Sequence, residues 1–189
     1  MAKATQTRAA GKAADAIALL KEDHRAVEAE FDEFEKADDE ELGAIAQRVC
    51  QMLTVHAQIE EEILYPSARN AFEKEEDLEL VNEADVEHAS AKQLIAQIES
   101  MDEESELFKA TVKVLSEYIK HHVKEEEGEL FPKLKKSGLD LTEMGELLAA
   151  RKKELMEELG IEEESDAESA GGKRQRSRSG TRPSGQARH

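Results

Sequence analysis

Residues 56–66 read HAQIEEEILYP, and residues 122–132 read HVKEEEGELFP. The two stretches share a histidine, two glutamates, a leucine and a final proline at matching positions, with Tyr65 in the first answering Phe131 in the second. A histidine and a glutamate four residues apart lie on the same face of an α-helix. The repeat therefore predicts two helices that each present an imidazole beside a carboxylate, in a chain with an internal pseudo-duplication.

Apolar residues extend outward from these stretches at alternating spacings of three and four, which is typical of helices with one face on a bundle core. Four segments carry such a stripe: Ile17 to Phe34, Ile45 to Ile63, Val81 to Ile98 and Phe108 to Leu130. In each stripe one histidine stands where a hydrophobic residue is expected: His24, His56, His88 and His122, in that order. One such histidine is usually a hydrogen-bonded core residue, but four in four stripes indicate a shared site.

The composition of the 189-residue chain favours an all-α protein with a single core. Three prolines, ten glycines, no tryptophan and 37% charged residues suit helices better than a sheet. We predict an antiparallel up-down four-helix bundle at residues 15–137, flanked by disordered segments at 1–14 and at 161–189, the latter acidic and then basic. Residues 138–160 predict an accessory amphipathic helix that packs on the bundle, and we assign it no chemistry.

The spacing of the histidines predicts that they share one height. In an up-down bundle, residues at one height lie equidistant from the turn that joins their helices. The midpoint between His24 and His56 is residue 40, in the polar run KADDEELG. The midpoint between residue 58, the centre of the His56/Glu60 pair, and His88 is residue 73, in the stretch RNAFEKEED. The midpoint between His88 and His122 is residue 105, in SMDEESE. Three polar breaks therefore place the four histidines in one layer.

The residue types in this layer point to metal binding. Buried carboxylates and imidazoles without partners would be strongly unfavourable, and divalent cations are their natural partners. Imidazole and carboxylate donors without a thiolate indicate iron, manganese or zinc. Glu60 and Glu126 come from different helices, which suits bridging. We therefore expect a dinuclear centre with two histidines per metal, and iron is the leading choice.

The charge of the chain is acidic and unevenly placed. It is −18 overall, with +3 in residues 1–14 and six basic against five acidic side chains in 161–189, which leaves about −22 in residues 15–160. Such a body repels nucleic acid and anionic membranes and attracts cations. A weak contact with nucleic acid is conceivable only through the basic tail residues, Lys173, Arg174, Arg176, Arg178, Arg182 and Arg188.

Cysteine use and hydropathy favour a cytoplasmic protein. Cys50 is the single cysteine, which excludes an internal disulfide, fits a reducing compartment and is expected to be a small buried hydrophobe. No run approaches the roughly 18 apolar residues that a membrane span requires. The N-terminal stretch also lacks the apolar segment of a secretion signal.

Four short motifs carry a family resemblance. They are DHR at 23–25, HxxxE followed by LYP within 56–66, EH at 87–88, and an HHxxxEExxLFP-like pattern at 121–132. On these motifs the sequence resembles the hemerythrin or HHE cation-binding family over about residues 15–135. The resemblance implies an antiparallel four-helix bundle with two iron ions (Fe2+/Fe3+) bridged by carboxylates and an oxo or hydroxo group. The ligands that it implies are His24, His56, Glu60, His88, His122 and Glu126.

One position departs from the oxygen-carrying members, which have a fifth histidine one turn after the third-helix histidine. Here that position is Lys92, so the site is expected to be more open. The candidates to fill the vacancy are Glu28, Glu61, Tyr118 and a water. His121 points about 100° away from His122 on the same helix and is expected beside the ligands or at the surface.

The resemblance implies a protein that binds or reacts with O2 or peroxide, with NO as a further small ligand. With four histidines instead of five, we expect oxygen, redox or iron sensing in a stress response rather than reversible oxygen carriage. Two alternatives stay open: a catalase- or peroxidase-like di-iron enzyme, and a non-redox bundle held together by zinc or mixed metals. Both a monomer and a dimer are compatible with the sequence.

Overall fold

The computed structural model describes residues 15–161, and within that range it is all helical without a strand. Its elements are α1 (Ala16–Phe34), α2 (Leu42–Ile59), the π-helical turn π1 (Glu60–Leu64), α3 (Tyr65–Ala71), α4 (Glu75–Ser100), α5 (Glu106–Glu125), π2 (Glu126–Leu130), α6 (Phe131–Leu134) and α7 (Leu141–Leu159). None of these helices has the combination of length and apolar content that crossing a bilayer requires. The predicted disordered segments, 1–14 and 161–189, lie outside the described residues except for Ile161.

Four long helices form the predicted bundle, and α7 packs beside it. The first bundle helix is α1, the second is α2 continued through π1 and α3, the third is α4, and the fourth is α5 continued through π2 and α6. Contacts join α1 to α2, α4 to α5, α2 to α4 and α1 to α5. The connections at 35–41, 72–74 and 101–105 include the predicted midpoints 40, 73 and 105. The all-α bundle prediction is confirmed.

Each π-helical turn lies directly before a proline. The backbone N–H of Tyr65 donates to the carbonyl of Glu60, five residues back, and Phe131 bonds to Glu126 in the same way. Pro66 and Pro132 follow, in the first turns of α3 and α6, where a missing N–H is tolerated. The chain remains helical beyond both prolines, to Ala71 in α3 and to Leu134 in α6.

The layer of histidines divides the core into two apolar clusters. The first cluster lies towards α3, α6 and α7 and includes Leu20, Ile59, Leu64, Leu134 and Leu148. The second lies towards the connections at 35–41 and 101–105 and includes Phe31, Val49, Ile95, Leu115 and Ile119. Cys50 is buried in the second cluster, where burial raises the pKa of its thiol to about 12, so it behaves as the expected small hydrophobe.

Helix α7 lies against the first half of the bundle, in contact with α1, α2 and π1. It begins at Asp140, whose carboxylate accepts hydrogen bonds from the N–H groups of Thr142 and Glu143. It ends at Gly160, which adopts the left-handed conformation with φ 67°. Its apolar face buries Met144, Leu148 and Leu155 in the first apolar cluster.

Candidate metal centre

The four histidines of the apolar stripes meet at one level of the bundle with their Nε2 atoms facing each other. The Nε2 atoms of His24 and His56 are 3.1 Å apart, and those of His88 and His122 are 3.3 Å apart. All four side chains are buried. The structure therefore forms two pairs of imidazoles, one from each half of the sequence.

Glu60 and Glu126 lie between the two pairs and contact one histidine of each. An oxygen of Glu60 is 3.2 Å from Nε2 of His56 and 3.4 Å from Nε2 of His88. An oxygen of Glu126 is 3.3 Å from Nε2 of His24 and 3.8 Å from Nε2 of His122. The six side chains named by the sequence thus converge, and both carboxylates span the gap between the pairs.

A second set of carboxylates faces the outer ring nitrogen of every histidine. The Nδ1 contacts are Glu127 with His24 at 2.9 Å, Asp23 with His56 at 3.5 Å, Glu61 with His88 at 3.1 Å, and Glu87 with His122 at 2.7 Å. Each carboxylate comes from the bundle helix that precedes the helix of its histidine. The order is cyclic, because Glu127 of the fourth bundle helix faces His24 of the first. We call this set the carboxylate ring. A carboxylate at Nδ1 keeps the proton there and leaves Nε2 as an electron-pair donor.

The sequence reasoning missed the carboxylate ring as a whole. Its members were visible as the acid before each histidine in DHR and EH, and as the second glutamate of each HxxxEE repeat. Glu61 was considered only as a substitute for the missing fifth histidine. In the structure Glu61 bonds to Nδ1 of His88 and accepts a hydrogen bond of 2.7 Å from Nζ of Lys92.

Tyr65 is a further residue that the sequence reasoning did not place in the site. Its side chain is fully buried, and its hydroxyl oxygen is 3.2 Å from Nε2 of His88. The hydroxyl also donates to Glu126 at 3.3 Å. Burial and the charge of Glu126 raise the pKa of Tyr65 well above its usual value, so the hydroxyl keeps its proton. The available signal was the repeat itself, in which Tyr65 aligns with Phe131.

The other candidates for the vacant position lie elsewhere. Glu28 is exposed on α1, and Tyr118 packs against the second apolar cluster. His121 is 59% exposed and contacts Glu125 on the surface of the fourth bundle helix. Among the described residues, Tyr65 is therefore the tyrosine whose hydroxyl reaches the histidine layer.

The electrostatics of the layer fit a cation. Both oxygens of Glu60 and one oxygen of Glu126 are buried without a hydrogen-bond partner. Burial alone lowers the pKa of His56, but the negative charges of Glu60 and Asp23 raise it to about 10. Burial likewise raises the pKa of Glu60, yet His56 and His88 hold it well below the usual value. The buried carboxylate of Glu60 thus carries negative charge that attracts a proton to His56 in the metal-free protein, and a bound cation would take that proton's place.

The distances between donors also fit metal coordination. Ligand atoms about 2.1 Å from one ion are about 3.0–3.4 Å from each other. Two groups of donors, which share Glu60, have one atom of each residue within 4.8 Å of the others: one is His24, His56, Glu60 and Glu126, and the other is Glu60, His88 and His122. The residues present can therefore hold one or two cations.

A cavity of about 660 Å³ reaches all four histidines. Its lining combines apolar side chains, such as Val27, Leu53, Ile95 and Ile119, with charged ones, such as Asp23, Glu30, Arg48, Lys92 and Lys152. Met156 and Ile161, at the end of the chain that the structure describes, also line it. A small molecule can therefore reach the histidines through a cavity of mixed polarity.

Helix α7 supports the first half of the site, although the sequence assigned it no chemistry. The ammonium of Lys152 forms an ion pair with Asp23, the carboxylate that faces His56. Burial raises the pKa of Asp23, but its contacts with His56 and Lys152 bring it below the usual value. Arg151 also bonds to Glu62 at 2.7 Å, so α7 is tied to π1 by charge as well as by apolar packing.

Comparison with known proteins defines the class. The family model of the hemerythrin HHE cation-binding domain matches residues 15–134, and the chain belongs to that family. The fold resembles a crystal structure of a hemerythrin HHE cation-binding domain-containing protein from Mycobacterium kansasii, with a TM-score of 0.67 and 21% identity over 77% of this chain and 89% of that one. The chain is thus a metal-binding helical protein, as its motifs predicted.

A curated relative from Nostoc sp., described as a DNA nickase, is 30% identical over 114 residues. The aligned region is 60% of this chain, but it spans only 31% of that relative's length.

Proposed function

We propose that this protein is a non-haem di-iron protein that binds or reacts with O2 or peroxide and serves oxygen, redox or iron sensing in a stress response. Its metal-binding unit is residues 15–137, and residues 138–160 support it. The proposed ligands are His24, His56, Glu60, His88, His122 and Glu126, with His24 and His56 on one ion and His88 and His122 on the other.

One observation carries the proposal: the two histidine pairs are spanned twice by carboxylates. Glu60 contacts His56 and His88, and Glu126 contacts His24 and His122. A carboxylate has two oxygens and can bind two ions at once. The symmetric placement of two such groups favours a dinuclear centre over a single ion.

The donor set favours iron. Imidazole and carboxylate ligands suit iron, manganese and zinc, while the single thiol, Cys50, lies in the second apolar cluster. Iron and manganese can supply the electrons that reduction of O2 or peroxide requires, whereas zinc cannot, and we choose iron because the family resemblance implies it. The cavity that reaches the histidines gives such a small ligand a path to the centre.

The protein's own residues orient the donors and hold a proton. The hydrogen bonds from Glu127, Glu61 and Glu87 favour a proton on Nδ1 of His24, His88 and His122, away from the centre. The two apolar clusters exclude water above and below the layer. The Tyr65 hydroxyl keeps its proton and donates a hydrogen bond to Glu126 at 3.3 Å.

Iron quantitation followed by anaerobic-to-aerobic spectroscopy tests this proposal. Protein loaded with Fe2+ without oxygen should contain about two iron ions per chain and develop a visible absorption band on exposure to O2, which then decays. His56→Ala is the control and should bind less iron and lack the band. If the protein takes up no iron from an ample supply, the di-iron assignment is wrong. If O2 instead forms a stable, reversible adduct, the protein carries O2 rather than reacting with it.

A peroxide-consuming enzyme is a second candidate, and the Tyr65 hydroxyl favours it. Because the raised pKa makes this phenol a weak acid, its role there would be to donate a hydrogen bond to peroxide rather than to release its proton. Oxygen evolution or peroxide loss by the iron-loaded protein, compared with Tyr65→Phe, measures this directly. If the iron-loaded protein does not consume peroxide in multiple turnovers, it is not a peroxide-consuming enzyme, and sensing remains the proposed function.

DNA nicking by the Nostoc relative is not extended to this chain, because the alignment spans 31% of that protein. The net charge of about −22 on residues 15–160 would also repel a phosphate backbone.

A further inference from the structure

A second group of metal-ligating side chains lies on the surface of the second half of the bundle. His121 and Glu125 are one turn apart on α5, with Nε2 of His121 3.2 Å from a Glu125 oxygen. One oxygen of Glu87, on α4, is 3.8 Å from the same Nε2. One donor atom from each of the three lies within 4.8 Å of the others, a spacing that can hold a cation. We call them the surface triad.

The surface triad shares a residue with the carboxylate ring. While one oxygen of Glu87 faces His121, the other accepts a hydrogen bond of 2.7 Å from Nδ1 of His122. His122 in turn presents its Nε2 to the buried layer. Two imidazoles that are adjacent in sequence, one exposed and one buried, thus contact opposite oxygens of one carboxylate.

A narrow cleft runs beside the surface triad towards the buried donors. It has a volume of about 20 Å³, and its lining includes Glu83, Glu87 and Glu125 as well as His122 and Glu126. That space is sufficient for one water or one ion of similar size. Glu126 also has one buried oxygen without a hydrogen-bond partner, which faces His24. The cleft therefore lies between two residues of the surface triad and two of the buried donors.

The cleft and the larger cavity share His122 and otherwise have different linings. Beside the apolar Leu80, Ala84 and Leu130, the cleft has the carboxylates of Glu83, Glu87 and Glu125. These carboxylates offset part of the desolvation cost of a divalent cation on its way to the buried donors.

We propose that His121, Glu125 and Glu87 form a third cation site, which captures a divalent cation from solvent and passes it through the cleft to the buried donors. The inference rests on the proposed function, since it requires a buried centre to receive the cation. Glu87 takes part in both places. It binds the arriving cation with one oxygen while the other holds His122 in position.

Uptake of Co2+ by the metal-free, full-length protein tests the proposal. Stopped-flow absorption of bound Co2+ gives the rate of uptake, and calorimetric titration counts the sites. The test variant combines His121→Ala with Glu125→Gln, which alters side chains outside the core. The matched control is Glu104→Gln, which removes one exposed carboxylate in the connection between the third and fourth bundle helices.

The wild type should bind a third, weaker equivalent of Co2+, and the double variant should lack it. The variant should still fill the buried centre to the same level but roughly tenfold more slowly, as expected when local attraction of a charged ligand is lost. The control should match the wild type. Glu83→Gln, which changes the cleft without touching the surface triad, should slow uptake and keep the third equivalent.

The outcomes separate this inference from the proposed function. Unchanged uptake by the double variant, or equal slowing by Glu104→Gln, overturns the uptake site and leaves the buried centre intact. A wild type that never binds Co2+ tightly overturns the buried centre, and the uptake site with it.

Discussion

The two halves of the bundle carry equivalent histidines and acids in different surroundings. The first half is α1 with the second bundle helix, and the second is α4 with the fourth bundle helix. Each contributes an acid before a histidine, at Asp23 and at Glu87, and each contributes one HxxxEE sequence ending at a π-helical turn. Asp23 and Glu87 each face the histidine of the following helix.

The difference lies in what covers these equivalent acids. In the first half, α7 covers Asp23, and Lys152 pairs with it. In the second half, Glu87 adjoins the exposed His121. The aromatic partners differ as well, because Tyr65 brings a hydroxyl to His88, whereas Phe131 stacks on His24 with the rings 5.9 Å apart. The histidines and glutamates of the layer are duplicated, but the side chains that surround them are not.

The largest effect is expected at Glu60, because it contacts both histidine pairs. Glu60→Ala should reduce bound iron from about two ions per chain to less than one, measured by elemental analysis after desalting. Glu129→Ala, an exposed glutamate of π2, should keep the full amount. Retention of both ions by Glu60→Ala would show that the halves hold their metals independently.

Substitutions at two adjacent leucines test whether packing of α7 stabilises the first half of the bundle. Leu148 is fully buried in the first apolar cluster, whereas Leu147 is 55% exposed. Leu148→Ala should lower the free energy of unfolding by about 2–4 kcal/mol, and Leu147→Ala by less than about 0.5 kcal/mol. Urea unfolding of the metal-free protein measures both. Equal, small losses would mean that α7 does not stabilise the bundle.

Much of the fold and of the proposed ligand set was predictable, since both follow from periodicity. Alternating spacings define the four stripes, and the midpoints of the histidines fall in the observed connections. The carboxylate ring was not predictable, because it depends on how each helix is rotated against the next. In a regular α-helix His56 and Glu61 would differ by about 140° in direction. The π-helical turns change this local geometry, and their only sequence signal is the repeated proline.

The equivalent acids of the two halves should contribute similarly to metal affinity. Asp23→Asn and Glu87→Gln should each weaken metal binding by about 10–100-fold, because the imidazole that each acid orients loses its charged partner. Competition with a chelator of known affinity measures the change. An effect from only one of the two substitutions would show that the halves differ in the buried layer as well as in its surroundings.

The smallest effect is expected at the tyrosine that distinguishes the halves. Tyr65→Phe removes the hydrogen bond to Glu126 and should lower the stability of the metal-free protein by about 0.5–1.5 kcal/mol. Tyr118→Phe, in the second apolar cluster, is the matched control and should change stability less. If Tyr118→Phe lowers the stability by as much, the hydrogen bond from the Tyr65 hydroxyl to Glu126 does not stabilise the protein.

The carboxylate ring has a consequence for the origin of such bundles. Within one half, the acid of the first helix reaches the histidine of the second, and the remaining two contacts cross between halves. A single helical hairpin bearing DH and HxxxEE would therefore form the same carboxylate ring if it paired with an identical copy about a two-fold axis. After fusion of two copies into one gene, the side chains around the equivalent acids would have been able to diverge independently in the two halves.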